Sequence, residues 1–115
     1  MTIQEAESLA ANLAQRMRLA RRLDGAEVLV VDYTDQGTLT YLNPEQPENT
    51  LTDHRMVNKA MAKLVQRRGG HVTPVTINVS DYFAWLGKFS LSDSHARRSQ
   101  YLAWLTTPEP RMAPE

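Results

Sequence analysis

Four cations lie four residues apart at Arg55, Lys59, Lys63 and Arg67. On an α-helix that spacing stacks side chains into one ridge. A cationic ridge is suited to phosphates or to an acidic protein surface. Asp53 is the only acid close by in sequence. The plain alternative is a solvated face whose charges pair with acids from elsewhere, such as Glu45 or Glu48, and exposed pairs of that kind contribute little energy. Arg16, Arg18, Arg21 and Arg22 precede the ridge, and Arg97 with Arg98 follows it. If the fold brings these groups together, the nucleic-acid reading gains, so Arg55, Lys59, Lys63, Arg67, Arg97 and Arg98 are its candidate residues.

Aromatic residues form the second unusual group. Six of the eight, including both tryptophans, fall between Tyr82 and Trp104. Tyr82 with Trp85, and Tyr101 with Trp104, are spaced to share one side of a helix. Tryptophan and tyrosine are enriched at binding hot spots. Tyr82, Trp85, Phe89, Tyr101 and Trp104 are therefore candidate anchors for a protein partner. The competing explanation is a mini-core, because two short helices with few other bulky apolar residues need large rings to pack. Stacking of these rings on nucleic-acid bases beside Arg97 and Arg98 is a further alternative.

Catalytic signals are weak. His54, His71 and His95 lack the spacing of a helical metal site, and each falls where an element is expected to begin. Asp93 and His95 with a nearby serine could form an acid–base couple, but neighbours in sequence rarely make a triad, and serines there are better read as helix caps. Gly69-Gly70 lacks the preceding strand and the spacing of a phosphate loop. No metal, no cofactor and no enzymatic activity are expected.

Composition sets the outer bounds. At 115 residues, 42% hydrophobic and 23% charged, the chain reads as one folded domain. Thirteen basic and thirteen acidic residues cancel, so attraction to a polyanion must come from local asymmetry. Cysteine is absent, which excludes disulfides and thiol chemistry. The N-terminus lacks the pattern of a signal peptide, and no apolar run approaches the ~20 residues of a membrane helix. A cytoplasmic location without membrane attachment is the expectation.

Positioning these groups requires an α+β chain in the order αββαβαα. Thr2 and Glu5 have capping-box spacing and open a helix over residues 2–23, ended by Asp24-Gly25. Val28 to Val31 is the longest unbroken run of branched aliphatics, in a strand expected to be covered on both faces. Asp35-Gln36-Gly37 reads as a turn with a glycine bulge into a second strand, 38–42. Thr50 or Thr52 caps the ridge helix, Gly69-Gly70 stops it, and a third strand over 72–79 carries Pro74 on an open edge. Two short helices follow. The expected sheet is three-stranded and antiparallel, in order 2-1-3, with Glu27–Tyr33 in the middle. Residues 1–105 form the domain and 106–115 a flexible tail.

The functional expectation is a small non-enzymatic protein-binding module of accessory, adaptor or inhibitor type, anchored by the aromatic C-terminal helical pair. The same surface could join two copies of the chain. Nucleic-acid binding through the basic ridge is the alternative.

Overall fold

The computed structural model describes residues 1–108 and 111–114. Seven elements follow in the order α1 (Ile3–Arg16), β1 (Glu27–Tyr33), α2 (Gln36–Leu42), α3 (Leu51–Arg67), β2 (His71–Ile77), α4 (Val79–Lys88) and α5 (His95–Thr106). The class is α+β, but the expected three-stranded antiparallel sheet is not formed. β1 and β2 make a two-stranded parallel sheet, with Val28 opposite Val72 and Tyr33 opposite Ile77.

The error lies at Asp35. Instead of starting a hairpin turn, its carboxylate accepts a 2.7 Å hydrogen bond from the Thr38 amide and caps α2. Residues 38–42 are therefore helical. Leu39 still turns inward, now on a helix. The Gln36 side chain then ties this helix to the next, donating to Asn49 O and accepting from the Leu51 amide. With no second strand, the chain leaves β1, returns along α3 and re-enters the sheet in the direction it left. That path makes the pair parallel.

β1 consequently has an open edge where a third strand was expected. α3 covers part of it. The His54 ring and the Asn58 amide both donate to Val31 O, at 2.7 and 2.8 Å, and Arg55 donates to Tyr33 O at 2.9 Å. Pro74 does lie on the outer edge of β2. His71 directs its amide to Ala26 O on β1, so alternate residues Val72, Pro74 and Thr76 face away.

The sheet separates two cores. On one face Val28, Val30 and Val72 pack with Ala6, Ala10 and Ala14 of α1 and Ala60, Met61 and Val65 of α3. On the other, Val31, Tyr33 and Ile77 pack with Leu39, Leu86 and the aromatic residues of α4 and α5. Side chains alternate between faces along a strand, so the run from Val28 to Val31 supplies both cores. No helix among the described residues is long and apolar enough to cross a membrane.

Three helices stop in the same way. In each, the second residue past the cap donates to the carbonyl five positions back and the residue before it donates three back in the pattern of a Schellman motif, with Arg18, Gly69 and Ser90 in the left-handed conformation. α1 thus ends at Arg16 rather than near Leu23, with the capping box of Thr2 and Glu5 formed as expected. Leu23 and Gly25 donate instead to Arg68 O and Gly69 O. Gly70 permits this approach: a Cβ there would meet Ala26 O at 2.8 Å.

Candidate functional site

The aromatic residues of α4 and α5 build an internal cluster. Tyr82, Trp85 and Tyr101 are buried, and Phe89 and Trp104 form its half-buried rim. Ring centroids of Trp85 lie 5.0 Å from Tyr101 and 5.9 Å from Trp104. The Trp85 indole N–H is buried with no hydrogen-bond partner among the described residues. Trp104 donates instead to Met112 O at 3.1 Å, and the Arg111 guanidinium lies 4.9 Å from its ring centre. So described residues of the 106–115 segment lie against α5. The expectation of a flexible tail falls partly on residues 109, 110 and 115, which are outside the described residues.

One carboxylate fastens this cluster to the rest of the molecule. Asp93, in the α4–α5 link, accepts from Tyr82 OH at 2.6 Å and Tyr41 OH at 2.7 Å. It also accepts from Nε and Nη2 of Arg98, both at 3.0 Å. Arg98 in turn donates to Tyr41 O and lies 5.0 Å from the centre of its ring. The guanidinium bonds, reinforced by the two phenols, hold the Asp93 carboxyl well below the usual carboxylate range. Burial and the Asp93 hydrogen bond push the Tyr82 phenol up to about 12. Both carboxylate oxygens are engaged twice, so the group is a strut and not a free base. His95, the partner weighed for it in sequence, makes no such bond and is exposed.

The basic ridge of α3 has a different character. Arg55 pairs with Asp32 at 3.1 Å. Lys59, Lys63 and Arg67 are exposed, and among the described residues none has an acid within salt-bridge distance. Glu45 and Glu48, the acids weighed as partners, do not reach them. Of the α5 cations, Arg98 is spent on Asp93, and Arg97 donates to Gln100 at 2.6 Å.

Apolar hollows flank the ridge. α1 runs beside α3 in the same direction: the Met1 amino group is 3.5 Å from Asp53, and Arg68 donates to Leu19 O. Where the small side chains of Ala6 and Ala60 meet, the seam leaves a hollow of about 230 Å³. Ile3 and Met56 wall it, Lys59 and Lys63 form one lip, and Glu7 stands on the other. Lys59 also borders a second hollow, toward Val30, Val72 and Pro74. Farther along the seam, Gln15, Arg18, Arg21 and Arg68 line one polar depression.

The chain matches no known family model, no characterised protein and no solved structure. Its site must be read from its own geometry.

Residue-by-residue sequence reasoning did not find the α1–α3 hollow. Ile3 stands three residues before Ala6 and seven before Ala10, in line with the buried alanines of α1, and its 68% exposure is a tertiary fact. Ala6 and Ala60 were legible only as core positions. Nor was the Asp93 network visible, since Tyr41 and Asp93 are 52 residues apart. Among the described residues, no three His, Cys, Asp or Glu side chains converge as a metal site would require.

Proposed function

We propose that this chain is a non-enzymatic protein-binding module, of accessory, adaptor or inhibitor type, that docks an acidic partner on the exposed face of α3. The carrying observation is that Lys59, Lys63 and Arg67 have no acid within salt-bridge distance among the described residues, while apolar hollows open beside Lys59 and Lys63. Cations alone give steering and salt sensitivity. Adjoining apolar surface adds the desolvated contact from which interface affinity comes. A non-enzymatic role fits the saturation of Asp93, the most strongly perturbed carboxylate among the described residues.

This moves the docking surface away from the aromatic pair. Tyr82, Trp85 and Tyr101 would have to leave their own core to anchor a partner. Their role in this reading is to hold α4 and α5 together, with Phe89 and Trp104 at the rim. Nucleic acid is the second reading. It is favoured by the shared depression of Arg18, Arg21 and Arg68, which continues the cationic side of the seam. Arg18 and Arg21 also follow the C-terminus of α1 and Arg68 caps that of α3, where helix dipoles favour cations without any ligand.

A pull-down with wild type and the Lys59→Glu/Lys63→Glu double variant tests the proposal. A protein retained by wild type at low salt, lost from the variant and released by raised salt is the expected result. Identical sets of retained proteins would refute it. A gel shift with single- and double-stranded oligonucleotides tests the second reading, and an absent shift at low salt removes it.

A further inference from the structure

We infer that the hollow between α1 and α3 receives an amphipathic helix from the partner, with its acids confined to the flank that faces α3. The inference rests on the reading of the α3 face as the docking surface. Lys59 and Lys63 stand on the same lip, four residues apart and separated by about 6 Å of helix rise. Carboxylates at i and i+4 of an opposing helix have the same spacing, so one pair can meet both ammonium groups. Glu7 stands on the α1 lip and repels a second row of acids. The floor decides the third property of the ligand. Ala6 and Ala60 hold no polar side-chain atom and let an incoming side chain approach the backbones closely. Ile3 and Met56 supply apolar walls. Apolar side chains at helical spacing, laid into a groove between helices, satisfy that surface. Charge asymmetry across the groove therefore fixes which way the guest helix is turned, as well as whether it binds.

Two fluorescein-labelled synthetic 18-residue helical peptides test this by anisotropy. Both carry the same leucine stripe. One has glutamates four apart on one flank and lysines on the other; the second has the same composition with glutamate and lysine mixed on both flanks, so that neither direction in the groove brings all its acids to one lip. The full chain should bind the segregated peptide about tenfold more tightly than the mixed one, since misplaced like charges oppose docking. Lys59→Glu with Lys63→Glu should abolish that preference. Ile3→Ser, at an exposed position, should weaken the preferred peptide without lowering the melting temperature. Equal binding of the two peptides, or a preference unchanged by the lysine reversal, overturns the inference. So does a single-stranded oligonucleotide that binds more tightly and displaces the peptide. If neither peptide binds while the lysine-dependent partner of the pull-down persists, the guest helix is refuted and the α3 docking surface stands. Loss of both refutes the docking surface itself.

Discussion

Replacing Asp93 by asparagine tests whether its network is the strut that joins the C-terminal helices to α2. The carboxylate accepts four hydrogen bonds, two from phenols and two from Arg98. Asparagine keeps one acceptor oxygen and turns an NH2 group toward two donors, so two charge-assisted bonds and the ion pair are lost. Such bonds contribute ~1.5–3 kcal/mol each in dry surroundings. The Asp93 side chain is 24% exposed, and solvent screening reduces that. At about 1 kcal/mol per bond the variant loses about 2 kcal/mol, a melting temperature lower by roughly 8 °C for a domain of this size. The pH dependence adds a sharper check. A carboxyl whose folded-state pKa is depressed stabilises in full above its unfolded value of about 3.9, and the contribution is lost as pH falls toward the folded value. Urea titrations followed by tryptophan fluorescence should therefore show the full gap between wild type and D93N at pH 6. The gap should narrow below pH ~4. A variant within about 0.5 kcal/mol of wild type at pH 6, or a gap that does not change on acidification, would refute the strut.

Three other outcomes follow from single positions. Tyr82, whose phenol is raised to about 12, contributes in full below the unfolded phenol pKa of ~10; stability should fall as pH rises from there toward 12, and Tyr82→Phe should flatten that limb of the curve. Thr38 is fully buried and its hydroxyl accepts from the Val79 amide at 3.1 Å, so Thr38→Val should destabilise by about 1–3 kcal/mol in a chemical melt. Gly70→Ala should cost about 1–3 kcal/mol through the clash with Ala26 O, whereas Gly87→Ala, in α4 with nothing near its Cβ, should leave the melting temperature unchanged or raise it.

Local signals were legible wherever the deciding groups are near in sequence. The capping box at Thr2, the stop at Gly69, the Thr50 cap and the outward edge of Pro74 each depend on neighbours within a few residues or on the one missing amide of proline. Amphipathic spacing likewise placed Ala6 and Ala10 of α1 and Ala60, Met61 and Val65 of α3 inside. Asp35-Gln36-Gly37 shows the limit of local reasoning. The same residues suit a bulged hairpin or a capped helix, and what selects the helix includes partners far along the chain: Gln36 bonds to Asn49 and Leu51, and Thr38 receives the Val79 amide. A hairpin there would make β2 antiparallel to β1; the capped helix makes it parallel.

By itself, then, the sequence determined the α+β class, a strand at Glu27–Tyr33 and the spacing of the cations on α3. These depend on backbone periodicity and side-chain type, which are properties of adjacent residues. Tertiary structure alone decided which charges are left over. Arg98 finds Asp93, Arg55 finds Asp32, and Lys59, Lys63 and Arg67 find no acid among the described residues. Coulomb attraction and hydrogen bonding act over a few ångströms of space, whatever the separation along the chain.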